Sequence, residues 1–177
     1  MWGPDVWSVW RAQAGSLSPP APCPKCGTAW TRTITWSFYV KQGNSYLYST
    51  QYNYFDLAVD ENGLWAIYAA ENERNFLLVS KLDPDNLTIQ KTWNISVRHR
   101  QYGNGFVACG LLYLIKDVTS TRTIIDYAFD LYTKQRLDVS LAFNNPYQMN
   151  TMIAFNHAER QIYSWDKGHL LTYPLLL

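Results

Sequence analysis

Five side chains in this sequence carry acid-base chemistry beside strand-like segments: Asp56, Asp60, Glu61, Asp166 and His169. Two carboxylates across a cleft, or a carboxylate beside an imidazole, can serve as general acid and base in hydrolysis. Strand parity divides the set. In Asp56-Leu57-Ala58-Val59-Asp60 the side chains alternate, so Asp56 and Asp60 share a face, Leu57 and Val59 take the other, and Glu61 points away from the acid pair. No Gly-x-Ser-x-Gly elbow, metal-binding His pair or Gly-rich phosphate loop accompanies them. The acids therefore read first as turn formers and solvated strand ends, with a hydrolase as the less favoured alternative.

Cysteine and asparagine supply two further chemistries. Cys23-Pro24-Lys25-Cys26 has the spacing of half a zinc site or of a redox pair, but no second half and no βαβ setting is visible, and Cys109 stands without a nearby His. Either Cys109 pairs with Cys23 or Cys26 and leaves the third thiol free, or all three are reduced. Two glycosylation sequons, Asn86-Leu87-Thr88 and Asn94-Ile95-Ser96, lie in a segment that reads as surface turn and strand edge.

Composition narrows what such residues can serve. Charged residues make up 16% of the 177, and fifteen basic against fourteen acidic side chains give a net charge of +1. That balance offers no field to gather phosphates, which speaks against nucleic-acid binding. No run reaches the roughly 18 apolar residues that span a bilayer. The N-terminal Met-Trp-Gly-Pro-Asp-Val-Trp-Ser-Val-Trp-Arg lacks a basic leader and a continuous apolar core, so it does not read as a secretory signal. Eight Trp, thirteen Tyr and seven Phe favour pleated, half-buried surfaces, hence β structure.

The elements that must position these residues begin late in the chain. Residues 1–28 form a separate arm, because the prolines at 19, 20, 22 and 24 remove donors and fix φ. Strand-rich runs follow at residues 31–40 and 46–54. From residue 55 the sequence repeats. Gly63-Leu64-Trp65-Ala66-Ile67-Tyr68, Gly110-Leu111-Leu112-Tyr113-Leu114-Ile115 and Arg160-Gln161-Ile162-Tyr163-Ser164-Trp165 are similar strands, with Trp65, Tyr113 and Tyr163 as landmarks. A second strand follows each, at 76–82, 123–129 and 169–175, and the first two lead into turns at Asp83-Pro84-Asp85-Asn86 and Asp130-Leu131-Tyr132-Thr133-Lys134. Units of about 40 to 50 residues with about four short strands are the signature of a β-propeller. The landmark aromatics are expected to fill the wedge between blades.

Six segments in register resemble successive motifs of the olfactomedin domain. They are Asp56-Leu57-Ala58-Val59-Asp60-Glu61-Asn62-Gly63-Leu64-Trp65, Val79-Ser80-Lys81-Leu82-Asp83-Pro84, Thr92-Trp93-Asn94, Asn104-Gly105-Phe106-Val107-Ala108-Cys109-Gly110, Tyr127-Ala128-Phe129-Asp130 and Tyr163-Ser164-Trp165-Asp166-Lys167-Gly168-His169. The resemblance covers residues 53–175, within a proposed partial olfactomedin-like propeller at 29–177. It implies an all-β, five-bladed propeller of secreted or cell-surface glycoproteins, incomplete here at fewer than four blades of length. It also implies glycans at Asn86 and Asn94, and a disulfide from Cys109 that Cys23 or Cys26 would have to complete.

The same resemblance implies a calcium site in the central channel, carried onto Asp56, Asn104 and the carbonyls of Gly105 and Ile153. The family's second carboxylate falls on Ala154, so any calcium binding is expected to be weak and no cofactor is expected. Asp56 then needs another partner, such as channel amides. The function these readings imply is a non-catalytic, extracellular protein-interaction domain that contacts matrix or cell-surface proteins through loops at residues 99–102 and 143–150. A truncated or alternatively spliced product without independent function is the alternative. Open blade edges carry the expectation of self-association or aggregation.

Overall fold

The structure is a computed structural model that describes residues 46–50, 53–69 and 76–175, all within the second of the chain's two units, Trp36–Leu177. The arm at residues 1–28, the strand-rich run at 31–40 and both Cys23 and Cys26 lie outside the described residues. Twelve strands occur among those described, and every sheet pairing is antiparallel. The first blade is β1 (Phe55–Asp60), β2 (Gly63–Ala69), β3 (Phe76–Leu82) and β4 (Ile89–Arg98), paired in sequence order. The second is β5 (Asn104–Ala108), β6 (Leu111–Ile115) and β7 (Arg122–Asp130), whose outer edge is shared by β8 (Arg136–Leu137) and β9 (Leu141–Asn144). The third is β10 (Asn150–Asn156), β11 (Gln161–Asp166) and β12 (His169–Pro174).

This is the meander that the repeat implies, and a partial β-propeller. Two departures have local causes. In the second blade the fourth strand is broken at residues 138–140 into two short pieces on β7, and the third blade shows three strands among the described residues. Of the run expected to be strand-rich, residues 47–50 and 54 are bends and residues 46 and 53 are irregular. Their backbone groups bond to loops instead of a ladder: the Leu47 amide donates to Asn53, the Ser49 amide to Tyr102, and the Arg100 amide to Leu47.

Burial between blades holds the strands in place. Trp65, Ile67, Leu77, Val79, Trp93 and Ile95 on one side meet Val107, Leu112, Leu114 and Tyr127 on the other. The second and third blades meet through Phe106, Ile125 and Phe143 against Ile153, Phe155 and Ile162. The landmark aromatics occupy one register position, since Trp65 opposes Ala58, Tyr113 opposes Phe106 and Tyr163 opposes Ala154. Trp65 fills the first wedge and lies 5.6 Å from Trp93; Tyr113 stacks on Phe106 at 5.1 Å beside the second. Tyr163 stands on the remaining face of the third blade, half-buried, near the exposed Trp165 and Leu170.

The turns repeat as closely as the strands. Asp83 accepts the amides of Asp85 and Asn86, and Asp130 accepts those of Tyr132 and Thr133. Each turn closes with the same backbone pair, Leu87 to Asp83 and Lys134 to Asp130, and each places its fifth residue in the left-handed region, with φ of 62° at Leu87 and 60° at Lys134. One carboxylate joins the first two blades. Asp60 accepts the Trp65 indole at 2.7 Å, the Asn62 amide at 2.9 Å and the Gly110 amide at 2.8 Å. Gly110 must be glycine, because at φ +74° a Cβ would lie 2.4 Å from the Tyr132 ring.

Two outcomes follow. Asp60→Ala leaves the buried indole and the Gly110 amide without an acceptor and is expected to cost about 2–5 kcal/mol, read from the urea midpoint. Lys134→Gly removes a left-handed side-chain penalty of about 1–2 kcal/mol against a smaller entropic loss, so the midpoint should rise by the equivalent of about 0.5–1 kcal/mol.

Candidate functional site

The inner strands β1, β5 and β10 adjoin one another at the centre of the blades, where the resemblance places the channel. Polar side chains gather there although the surroundings are apolar: Asp56, Asn104, Asn150 and Ser164 are all buried. Asp56 Oδ2 accepts the Tyr48 hydroxyl at 2.9 Å, and Oδ1 accepts the Leu57 amide at 2.9 Å. Asn104 Oδ1 accepts the Gly105 amide at 2.9 Å, while its Nδ2 donates to Asn150 Oδ1 at 3.0 Å. The Asn150 amide group in turn donates to the Ser164 hydroxyl. The pairs belong to all three blades and leave none of these side chains without a partner.

Burial pushes the Asp56 carboxyl up to about 7, against the lowering effect of the Tyr48 hydroxyl and the Leu57 amide. Burial also raises Tyr48 well above the usual phenol range, and the charge of Asp56 adds to the effect. Tyr48 therefore acts as a donor, not as an acid.

Of the positions to which the resemblance assigns a calcium ligand, Asp56 and Asn104 are among these buried polar residues. Asp56 and Asn104 stand at the starts of β1 and β5, Gly105 follows Asn104, and Ile153 lies within β10. The donor chemistry does not match a calcium cage, however. Calcium takes six to eight oxygens and relies on carboxylate charge, whereas Ala154 offers a methyl group and Asp56 is the one carboxylate. No cluster of three or more His, Cys, Asp or Glu suited to a metal occurs among the described residues.

The acid-base candidates are dispersed. Antiparallel alternation puts the turns after β1, β3, β5, β7 and β10 at one end of the blades, and the connections after β4, β6, β9 and β11 at the other. Asp60 and Glu61 lie at the turn end; Asp56, Asp166 and His169 lie toward the connection end. Asp56 and Asp60 share a buried face, as parity requires, but are about 13 Å apart along the strand. Asp166 is buried and accepts the amides of Tyr147 at 2.7 Å and Met149 at 2.8 Å, which makes it a clasp for the loop above it. His169 lies flat on Tyr147 with ring centroids 3.8 Å apart.

The two loops singled out for contact are only partly free. In residues 99–102, Arg100 and Gln101 are exposed, while Tyr102 is buried and His99 holds the Tyr46 carbonyl at 3.0 Å. In residues 143–150, Tyr147, Gln148 and Met149 are exposed, while Phe143, Asn145 and Asn150 are buried. Asn86 is exposed in its turn, and its Oδ1 accepts the amide and the hydroxyl of Thr88; Asn94 is exposed on β4. Cys109 is half-buried at φ 55° and forms no disulfide among the described residues. Burial and a hydrogen bond with Glu61 raise its thiol, which lowers the thiolate fraction.

A propeller sector with this channel and these turns defines a class, and comparison with known proteins bears it out. The model of the olfactomedin-like domain matches residues 30–177, so the chain belongs to the olfactomedin family. It is 37% identical to myocilin of Rattus norvegicus over 126 residues, which are 71% of this chain and 25% of that protein. The identity to Homo sapiens myocilin is 35% over the same shares. To adhesion G protein-coupled receptor L1 of Mus musculus it is 39%, over 68% of this chain and 9% of the receptor. The chain thus spans about a quarter of the length of the myocilins it matches.

A pH dependence follows from Asp56. Its folded-state pKa of about 7 lies above the ordinary 3.8, so between these values the folded chain holds a proton that the unfolded chain has lost. Stability is greatest below about pH 4 on this account and falls as pH rises toward about 7, by a total on the order of 4 kcal/mol. Asp56→Asn should abolish this slope, as measured by urea unfolding across the interval.

Proposed function

We propose that this chain is a non-catalytic interaction domain of an extracellular or cell-surface protein, and that it binds matrix or cell-surface proteins through the loops that connect its blades. The observation that carries the reading is how side chains are shared out at the connection end. Asp166 is committed to backbone amides, whereas Arg100, Gln101, Tyr147, Gln148 and Met149 stand free of the core. Tyr147 is 40% and Met149 45% exposed on a loop whose backbone Asp166 already holds, so presenting them to a partner costs little ordering. The family relationship supports an extracellular setting, and the exposed Asn86 and Asn94 suit glycosylation there.

Self-association is a second mode of contact. The face of the third blade carries Trp165, 43% exposed, and Leu170, 56% exposed, as cross-strand partners.

Secreted from a eukaryotic host, the full chain should carry two glycans, each removed by one of Asn86→Gln and Asn94→Gln and both by an N-glycosidase. The secreted chain should bind intact cells saturably, and protease treatment of the cells should abolish binding. Tyr147→Ala with Met149→Asp should weaken it by about tenfold. Binding that survives both treatments would sink the reading, and hydrolytic turnover lost in Asp166→Asn would favour an enzyme. Self-association predicts a concentration-dependent mass in sedimentation that Leu170→Asp abolishes.

A further inference from the structure

The channel raises a question that the donor count alone leaves open: what balances Asp56 if the set around it is too poor in carboxylate for calcium. Tyr48 answers it. We propose that the Tyr48 hydroxyl takes the place of a cation in this channel, and that hydrogen bonds of the protein, side-chain and backbone together, hold the blades at their centre in place of a metal.

Four observations converge on this. First, Tyr48 is buried, its hydroxyl is 2.9 Å from Asp56 Oδ2, and the Leu57 amide occupies Oδ1, so each carboxylate oxygen already has a donor. Second, the channel accommodates the hydroxyl. A Cβ built on Gly105 would lie 3.3 Å from the Tyr48 oxygen, 3.0 Å from the Tyr113 carbonyl and 2.8 Å from Leu114 Cδ2, so a residue larger than glycine would crowd the phenol. Third, the other side-chain oxygens that could face an ion are engaged with protein donors. Asn104 Oδ1 takes the Gly105 amide, Asn150 Oδ1 takes the Asn104 amide group, and the Ser164 hydroxyl takes that of Asn150. Fourth, Tyr48 is held from behind. Leu47 accepts the Arg100 amide at 2.9 Å and Ser49 donates to Tyr102 at 2.7 Å, so the segment that carries the phenol is laced to the connection between the first two blades.

The chemistry is coherent. A hard cation brings charge and demands six to eight oxygens arranged around it. A phenol brings one directional donor and an apolar ring, and it fills the space with atoms of the chain itself. Ala154 fits the second arrangement, because an additional carboxylate in a channel without a cation would be an unpaired buried charge.

Thermal melts of the full chain in EGTA and in millimolar calcium test the proposal. The wild-type midpoint should be the same in both. Tyr48→Phe should lower it by about 3–10 °C in either buffer, because Asp56 loses its buried donor. Combining Tyr48→Phe with Ala154→Asp frees the space and restores the second carboxylate, so a calcium-dependent rise in midpoint should appear. A calcium-dependent rise in the wild type, or a Tyr48→Phe midpoint equal to wild type, would overturn the proposal. Should Tyr48→Phe fail to fold, proton NMR of the wild type decides: a protected Tyr48 hydroxyl resonance unmoved by calcium supports the proposal, and its absence refutes it.

Discussion

The described part of the molecule depends on how Trp65 is wedged between the first two blades and on the carboxylate that keeps it there. Burying an indole contributes a large apolar area but strands an N–H donor unless an acceptor is buried with it. Asp60 is that acceptor, and the same group reaches across the blade boundary to the Gly110 amide. One side chain thereby sets the depth of the Trp65 ring and the turn between β5 and β6. With this contact in place, Trp93 packs against Trp65, Val107 and Leu112 close the wedge, and β1 and β5 are brought side by side at the channel.

The same requirement explains why the acids resemble catalytic residues when only their types and spacing are considered. A propeller of short strands has many tight turns, and each turn exposes amides that a nearby Asp or Asn can accept. Asp83, Asp130 and Asn156 do this at the turn end, and Asp166 does it at the connection end. Their recurrence at blade intervals follows from repeated turn geometry. Catalysis would require two such groups to converge with a free lone pair and access to solvent, whereas these accept backbone amides in separate turns.

Much of this was legible in the sequence, for a physical reason. Strands β2, β6 and β11 could be aligned because each must present an aromatic at one position, and the turns after β3 and β7 announced themselves through Asp followed by turn-forming residues. Parity correctly put Asp56 and Asp60 on one face of β1. Residues 46–50 and 53–54 depart from the strand expectation because tyrosine-rich composition favours strands, while composition is blind to whether a ladder partner exists. The division of the second blade's outer strand into β8 and β9 was equally hidden, since nothing in Asp138-Val139-Ser140 resembles a strong breaker. Asn150 reads as the end of a contact loop, but as the first residue of β10 it is buried and bonded to Asn104.

Tyr48 is the residue that pattern reading could least recover, and the reason bears on how a family fold is adapted. Its contact with Asp56 spans eight positions and depends on a bend fixed by distant backbone bonds to Arg100 and Tyr102, so no periodicity marks it. The visible trace in the sequence is a difference of one residue, Ala154 in place of a carboxylate. A buried carboxylate can be supported by an ion, by donors of the protein or by its own proton, and each option restricts the residues around it. In this channel the restriction shows as a glycine at 105, an alanine at 154 and a chain of amides joining the second blade to the third. These residues make sense as a set when Tyr48 is included, and none of them does so alone.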